Sequence, residues 1–187
     1  GGSGTGTSWA AASGNLQSIV NGAQSGDEVW VGVGHFTPTS SGAFSTLNLA
    51  TGVAVYGGFA GTETGFSERA EWFSRSVLSG DFANDDAFDG LSGTSDNASH
   101  VVYGATDATL DGFRVQAGRW NFQGTNLGSA VLTPQNTTGL TFRNIDFTRN
   151  WGDNAVLGIV VPNNNSEMLL ESCHFSGNTS ANDIDVR

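Results

Sequence analysis

Three nine-residue segments in the second half of the chain decide its fold: Leu110-Asp-Gly-Phe-Arg-Val-Gln-Ala-Gly118, Phe142-Arg-Asn-Ile-Asp-Phe-Thr-Arg-Asn150 and Leu170-Glu-Ser-Cys-His-Phe-Ser-Gly-Asn178. They superpose without a gap. The first, fourth and sixth positions are apolar each time, and the spacing of two between the last pair is the period of a strand with one buried face. We therefore predict three strands that face a common core through a structural ladder of apolar side chains: Leu110, Phe142 and Leu170, then Phe113, Ile145 and Cys173, then Val115, Phe147 and Phe175.

The interval between the segments is that of one solenoid coil. Phe113 and Ile145 are 32 residues apart, and Ile145 and Cys173 are 28 apart. This interval is too long for a hairpin meander, whereas a solenoid repeat of this length buries its apolar side only against its neighbours. The sequence predicts an all-β fold, a right-handed parallel β-helix.

The second and fifth positions of the repeat carry charges that alternate in sign from segment to segment. If the segments stack in register about 4.8 Å apart, these side chains form two outward columns. Like charges directly opposite each other destabilise a sheet, so the alternation favours parallel, in-register pairing. The columns read Asp111, Arg143 and Glu171, and Arg114, Asp146 and His174.

The ninth position ends each segment with Gly118, Asn150 or Asn178. These residue types tolerate a left-handed backbone, so we predict a tight corner there. The single cysteine, Cys173, occupies an inward position of the repeat. No internal disulfide can form, and we interpret Cys173 as a small core residue.

The first 26 residues are predicted to cap the solenoid. Apolar residues at helical spacing between Trp9 and Ala23 indicate a short helix that begins at Ser13 or Asn15, and Gly26 ends the region. A helix there would cover the unpaired strand edges of the first coil. We predict one domain over residues 1–187, with a cap at 1–26, coils at 27–187 and an uncapped C-terminal end. The early strands are predicted at Asp27–Val33, Phe44–Leu49, Val53–Tyr56, Val77–Ser79 and His100–Tyr103, separated by Gly-rich corners such as Gly57-Gly58 and Gly61.

Several stretches resemble bacterial secreted right-handed β-helix proteins of the polymorphic-outer-membrane-protein-like kind. The Phe-x-x-Asn repeat motif of that group appears as Phe147-Thr-Arg-Asn150 and Phe175-Ser-Gly-Asn178, and its Gly-Gly-Ala-Ile partner appears loosely as Gly128-Ser-Ala-Val131. The resemblance implies an extracellular or cell-surface location and a role in adhesion or surface display. Further matching runs lie at Gly4–Trp9, Gly26–Val31, Gly52–Thr64 and Leu78–Asp81.

Composition excludes several classes of partner and chemistry. The chain has 187 residues, 27 of them Gly, and a net charge of −11. This charge repels nucleic-acid phosphates and anionic membranes, so we expect neither as a partner. Every basic residue is Arg, which removes Schiff-base chemistry and the commonest amine base. No apolar run is long enough to span a membrane.

The most concentrated polar stretch is a candidate Ca²⁺ site. Carboxylate and amide oxygens are the ligands that Ca²⁺ requires, six to eight of them. The spacing does not match an EF-hand loop, and a solvated acidic loop is the alternative. The candidate ligands are Asp81, Asn84, Asp85, Asp86 and Asp89.

Parallel β-helices also host polysaccharide lyases and hydrolases, so a carbohydrate-active enzyme is the alternative function. A lyase could use Asp111 and Asp146 with a neighbouring Arg, but Arg is a poor base and opposite charges in one column neutralise each other. A glycosidase needs two carboxylates facing one cleft, whereas Asp146 and Glu171 belong to different columns. We predict no catalytic residue.

Aromatic and Arg side chains just beyond the strand-ending corners are the candidate ligand-binding residues. Aromatic rings beside an Arg on a loop suit sugar stacking or a protein contact. The alternative is that they fold back over the coil edge. These residues are Trp120, Phe122, Trp151, Arg119 and Arg149.

The sequence as a whole predicts an extracellular, non-enzymatic structural or adhesive module. Ala181–Val186 matches the start of another coil. Because an uncovered end of a β-helix is a template for another chain, we expect the protein to associate with itself, end to end or by strand exchange, or with a surface glycan.

Overall fold

The computed structural model describes residues 4–38, 42–69, 76–87, 92–120, 128–152, 155–159, 167–179 and 182–186. Within these residues the protein is mostly β, with one α-helix, α1 (Leu16–Gly22), and short 3-10 turns at Trp9–Ala11, Phe66–Glu68 and Thr94–Asp96. None of the helices in these ranges has the length and apolar character needed to cross a bilayer.

Seventeen strands form three five-stranded sheets and one two-stranded sheet, and every strand pair in the described part of the chain is parallel. Sheet 1 contains β1 (Glu28–Gly32), β4 (Ala54–Phe59), β7 (Thr109–Asp111), β11 (Leu140–Arg143) and β15 (Met168–Glu171). Sheet 2 contains β2 (Gly34–Phe36), β5 (Ser76–Ser79), β8 (Phe113–Gln116), β12 (Asp146–Thr148) and β16 (His174–Ser176). Sheet 3 contains β3 (Leu47–Asn48), β6 (Val102–Tyr103), β10 (Gly128–Thr133), β14 (Ala155–Ile159) and β17 (Asn182–Val186). Sheet 4 pairs β9 (Arg119–Trp120) with β13 (Trp151–Gly152).

The chain visits sheets 1, 2 and 3 in turn and does so five times; each passage is called a round below. Each new strand is added next to the strand of the previous round, so the order within every sheet is the order of the sequence. Parallel neighbours require such crossover connections, because a tight hairpin can join only antiparallel strands. Residues far apart in the sequence therefore become neighbours, such as Glu28 with Ala54, which are 26 positions apart, and Ala54 with Thr109, which are 55 apart.

The predicted in-register stacking of the three segments is confirmed. Leu110, Phe142 and Leu170 are paired in sheet 1, and Val115, Phe147 and Phe175 are paired in sheet 2. Phe113 and Ile145 are buried in the same apolar core, and Cys173 packs against it half-buried, as predicted for a core residue. The rings of Phe147 and Phe175 stack with centroids 5.0 Å apart.

The prediction of a left-handed backbone at the ninth position is wrong by one residue. The positive φ angles fall on the eighth position, at Ala117 (φ 61°), Arg149 (53°) and Gly177 (60°), and again on the third, at Gly112, Asn144 and Ser172. Only Gly adopts this conformation without cost, so the Ala and Arg are held there by the surrounding hydrogen bonds, among them the Ala117 N–H bond to the Arg149 carbonyl.

Asn150 and Asn178 instead stack as an internal amide ladder. Asn150 is 1 % exposed; its Oδ1 accepts from the Gly118 N–H (2.9 Å) and its Nδ2 donates to the Val115 carbonyl (3.0 Å). Asn178 repeats the pattern one round later, accepting from the Asn150 N–H and donating to the Phe147 carbonyl. Each Asn thus satisfies backbone groups at a corner where the strand ladder stops.

The N-terminal segment covers the first round, and its helix begins at one of the two predicted caps. Asn15 is the N-cap of α1, accepting from the Ser18 N–H at 2.9 Å, and Leu16 and Val20 are buried against the core. The Gln17 amide bonds both backbone groups of Asn48 on β3, donating to the carbonyl (2.9 Å) and accepting from the N–H (2.7 Å). Gln17 therefore occupies the positions that a further strand would use at the edge of sheet 3.

The predicted early strands exist with shifted ends. β3 is shorter than Phe44–Leu49 and β6 is shorter than His100–Tyr103, whereas β4 runs on to Phe59. Gly57 and Gly58 were expected to form a corner, yet both lie inside β4. Gly57 is required in the strand because the neighbouring round approaches closely: a Cβ at this position would lie 2.7 Å from the Gly112 carbonyl oxygen.

Candidate functional site

The outward charges of the second half of the chain are paired across neighbouring rounds. The Arg114 guanidinium lies 3.0 Å from the Asp146 carboxylate, and the Arg143 Nε lies 2.6 Å from the Glu171 carboxylate. The His174 Nδ1 lies 3.4 Å from the second oxygen of Asp146. These columns match the sequence-based expectation, and they occupy the carboxylates that a lyase or hydrolase would need free.

Asp111 departs from the expected outward column because it is buried. Its side chain pairs with Arg69 at 2.9 Å and accepts from the Asn144 Nδ2 at 3.0 Å. Arg69 also donates to the Gly57 and Asp111 carbonyls. The sequence pattern placed Asp111 correctly on the outer side of the strand but could not show that the segment containing Arg69 covers it.

Arg69 lies in a cluster of aromatic rings that sequence reasoning did not single out. Its guanidinium carbon lies 5.6 Å from the Tyr56 and Phe66 ring centroids and 5.9 Å from that of Phe59. Trp30 stacks on Phe59 at 4.7 Å. Such cation–π contacts gain strength when the cation is desolvated, and Arg69 is nearly buried. The cluster holds the Phe66–Arg69 connection onto sheet 1.

A cleft of about 510 Å³ lies beside this cluster, between the N-terminal segment and β1. Trp9 and Trp30 line it together with Glu28 and Glu63. Glu28 accepts a hydrogen bond from the Trp30 indole N–H at 2.9 Å, and the Trp9 indole N–H donates to the Glu63 carbonyl at 2.9 Å. Aromatic walls with a few polar groups are typical of small-molecule and sugar sites.

Glu63 is fixed in place as an anion. Its carboxylate accepts from the backbone N–H groups of Ala60, Gly61 and Thr62 at 2.5, 2.9 and 2.9 Å. Desolvation raises the pKa of this carboxyl, but the N–H donors outweigh it and hold the pKa below its usual value of 4.5. A carboxylate in this state cannot serve as the proton-donating acid of a two-carboxylate glycosidase.

Three of the predicted ligand-binding residues make packing contacts in the structure. Trp120 is 6 % exposed and stacks on His100 with ring centroids 4.6 Å apart. Arg119 lies over the half-buried Trp151 ring at 5.2 Å, and these two residues pair in sheet 4. Arg149 is exposed, and Phe122 lies outside the described residues.

His100 is a buried titratable group that the sequence did not single out. Its Nδ1 lies 2.5 Å from the Gly128 carbonyl oxygen, which can only accept, so Nδ1 carries the proton. Burial lowers the pKa of the imidazole from 6.5 to about 4, against the opposing effect of the Gly128 carbonyl. His100 is neutral at pH 7 and its stack on Trp120 is apolar.

The acidic loop brings together some of the predicted metal ligands. Carboxylate oxygens of Asp81, Asp85 and Asp96 lie within 4.8 Å of one another. Asp96 was not among the predicted ligands. Asn84 is exposed with a left-handed backbone (φ 55°), and Asp89 lies outside the described residues.

Asp86 lies at the rim of this loop and accepts from the Asn97 Nδ2 at 2.9 Å. Burial raises the pKa of Asp86; the Asn97 hydrogen bond opposes this effect, and the charges of Asp81 and Asp96 add to it. The Asp86 carboxyl is therefore partly desolvated and lies near two negative charges, and the positive charge of Arg149 opposes their effect.

Comparison of the chain with family models, with curated proteins and with solved structures found no match in any of the three.

Proposed function

We propose that the protein is an extracellular, non-enzymatic structural or adhesive surface module built as a right-handed parallel β-helix. Three observations support the fold: every described strand pair is parallel, each sheet grows in sequence order, and residues one round apart are in register. The extracellular location and the surface role come from the resemblance of the Phe-x-x-Asn segments to secreted polymorphic-outer-membrane-protein-like repeats.

The pairing of outward charges is the observation that best supports a non-enzymatic function. A polysaccharide lyase or hydrolase needs unpaired carboxylates along an open groove. Here Asp146 is bonded to Arg114 and His174, and Glu171 to Arg143. Pairs of this kind hold rounds together and leave a neutralised face, which suits a rod-like surface element.

The adhesive part of the proposal is supported by the cleft beside β1. Trp9 and Trp30 offer apolar rings, and the Glu28 carboxylate can accept from sugar hydroxyls. A surface glycan is the ligand class that this combination suits best. The surface of Arg119, Trp151 and Arg149 is the second candidate, although the Arg119 guanidinium already covers one face of the Trp151 ring.

A pair of Trp variants tests which surface binds glycan. Labelled wild-type protein, Trp9→Ala and Trp151→Ala would be titrated against immobilised xylan, alginate and polygalacturonate. We expect Trp9→Ala to weaken binding at least about tenfold, since it removes one aromatic wall, and Trp151→Ala to bind as the wild type does. Loss of binding in Trp151→Ala alone would move the site to that surface, and no binding by any form would contradict the adhesive role.

The runner-up, a carbohydrate-active enzyme, is supported only by the two carboxylates in the same cleft. Incubation of the protein with the three polysaccharides would be followed by reducing-end release for a hydrolase and by absorbance of unsaturated uronates for a lyase. We expect neither signal to exceed buffer. Turnover that disappears in Glu28→Gln would establish the enzyme instead.

Self-association is retained as a proposal in a narrower form. End-to-end stacking requires two free ends, but α1 and Gln17 cover the edge of sheet 3 in the first round. The strands β15 and β16 of the last round carry apolar residues that pack on the core and remain partly exposed, namely Met168, Leu170 and Phe175. Association between copies through this face predicts a dimer in sedimentation velocity, whereas a long fibre would mean that α1 is displaced.

A further inference from the structure

The cleft beside β1 has two acidic residues in its lining and, among the residues that the structure describes there, no basic one. Glu28 and Glu63 are the ionisable residues of this lining. Arg69 contacts Phe59, with its guanidinium carbon 5.9 Å from the ring centroid, but it does not line the cleft and its charge is paired with Asp111. The local charge is therefore negative, which attracts a cation and repels an anion.

Glu63 carries one of these charges at a position shielded from water. It is 8 % exposed, and its carboxylate accepts from the backbone N–H groups of Ala60, Gly61 and Thr62. Desolvation raises the pKa of the carboxyl, but these donors outweigh it and keep the group ionised. Neutral dipoles stabilise the anion without cancelling its charge, so the field of Glu63 reaches the cleft with little screening.

Glu28 carries the second charge beside an indole ring. The Trp30 Nε1–H donates to its Oε2 at 2.9 Å, and Oε1 makes no hydrogen bond with any residue that the structure describes. Because the Glu28 side chain is exposed, a ligand can approach this carboxylate. A carboxylate oxygen only accepts hydrogen bonds, and the group that complements it best is a charged donor.

The aromatic residues of the cleft favour a cation as well. The rings of Trp9 and Trp30 both contact the buried Phe59, with centroids 5.7 and 4.7 Å from it. Both indole N–H groups already donate, one to the Glu63 carbonyl and the other to the Glu28 carboxylate. What the two indoles offer a ligand is therefore ring surface, and Trp is the aromatic residue that attracts an ammonium group most strongly.

We infer that this cleft binds glycans whose sugars carry a free, protonated amine in preference to neutral or acidic glycans. The inference rests on the proposed function, in which the cleft binds a surface glycan, and adds the charge class of that glycan. An ammonium group has three donors and no acceptor, which matches the Glu28 carboxylate. The rest of an amino sugar stacks on Trp9 or Trp30 as any sugar does, whereas a uronate brings a third carboxylate to the two already present.

Three hexasaccharides with the same linkage test the preference, because they differ only in the group at the second carbon: β-1,4-linked glucosamine, N-acetylglucosamine and glucose. Each would be titrated calorimetrically into the whole chain at low salt and mildly acidic pH, where the sugar amine is protonated. We expect the glucosamine oligomer to bind at least about fivefold more tightly than the other two. Raising the pH until the amine is neutral should remove this preference.

Two variants that remove the same charge locate the effect. Glu28→Gln can still accept from the Trp30 N–H, so it should weaken binding of the glucosamine oligomer about threefold and leave the glucose oligomer unchanged. The matched control is Glu167→Gln, which alters an exposed Glu just before β15 and should bind all three oligomers as the wild type does. Trp9→Ala should weaken both the glucosamine and the glucose oligomer, since it removes ring surface that both use.

The outcomes separate this inference from the proposed function on which it rests. Equal wild-type affinity for the glucosamine and glucose oligomers, with weaker binding by Trp9→Ala, would leave the glycan cleft in place and overturn the preference for an amine. Equal losses in Glu28→Gln and Glu167→Gln would also overturn it, because the effect would then come from net charge rather than from the cleft. Failure of the wild type to bind any of the three would overturn both proposals.

Discussion

Asn150 links three successive rounds through its side chain and backbone. Replacing it with Ala would leave the Gly118 N–H without its acceptor inside the protein and would remove the amide's bond to the Val115 carbonyl. We expect Asn150→Ala to lower the free energy of unfolding by about 3 kcal/mol, measured by urea denaturation.

Asn178 provides the matched control for this prediction. It makes equivalent bonds to Asn150 and Phe147 but is half-buried in the last round, where water can replace the amide. Asn178→Ala should therefore cost only about 1 kcal/mol. Equal losses for the two variants would mean that burial does not strengthen the ladder as described.

His100 makes stability depend on pH. Its pKa falls from 6.5 in the unfolded chain to about 4 in the folded protein, so below pH 6.5 the unfolded state binds the extra proton and stability falls until about pH 4. The loss should reach about 3 kcal/mol at pH 4, from 1.36 kcal/mol per pKa unit.

Replacement of His100 by Asn isolates this effect, because an Asn side chain can still donate to the Gly128 carbonyl but does not titrate. His100→Asn should be less stable than wild type at pH 7 and should lose about 3 kcal/mol less on going to pH 4. His35→Asn, on an exposed side chain of β2, should follow the wild-type profile. Parallel profiles for His100→Asn and wild type would rule out His100 as the titrating group.

The corners between strands are the elements that the sequence specified least well. Ser172 has φ 53° in the connection between β15 and β16, a conformation that costs a residue with a Cβ roughly 1 kcal/mol. Ser172→Gly should therefore raise the free energy of unfolding by about 0.5 kcal/mol, after the greater flexibility of the unfolded chain is subtracted.

Ser18→Gly is the opposite control, since Ser18 lies within α1 and is also exposed. Gly in a helix interior is less favourable than Ser, so this change should lower stability by about 0.5 kcal/mol. Chemical denaturation of both variants gives the comparison. If Ser172→Gly is destabilising as well, the left-handed assignment of that corner is wrong.

Strands could be predicted from sequence because two periods agree: alternation within a segment and recurrence of apolar triplets about 30 residues apart. The corners could not, because Asn at the ninth position fits a left-handed backbone as well as it fits an amide ladder. Ala117 and Arg149 give no local signal for a positive φ; the neighbouring rounds impose it. The prediction of a corner at Gly57 and Gly58 was wrong for the same reason, namely contact with a neighbouring round. The close approach of Gly112, rather than a turn, requires glycine at Gly57.

The candidate sites were also predicted only in part, because the sequence shows where polar or aromatic residues are dense but not which of them folding brings together. Density of Asp residues located the acidic loop, but Asp96 joined the cluster only through folding. Trp120 was expected on a binding loop because it follows a corner, yet it packs on His100. The cleft with Trp9 and Trp30 arises from segments 21 residues apart and has no sequence signature of its own.

At the scale of the whole molecule, the side chains that could bind a substrate are the same ones that can pair between rounds. A charged residue in an outward column can either bind substrate or pair with the next round, and here Arg114, Asp146, Arg143 and Glu171 pair. Surface ion pairs contribute little individually, so their main effect is to fix register and remove free charge. A module of this kind presents outward columns in which opposite charges are paired, which agrees with the proposed structural role.

The central claim is that residues one round apart lie side by side with their outward charges paired, and a double-mutant cycle on Arg114 and Asp146 tests it most directly. Wild type, the single Ala variants and the double Ala variant would be unfolded in urea. A second cycle, on Arg114 and Glu171, is the control because these two residues lie in different sheets. The account predicts a coupling free energy of about 1 kcal/mol for Arg114 and Asp146 and about zero for Arg114 and Glu171. Additive losses for Arg114 and Asp146, within about 0.3 kcal/mol, would contradict it.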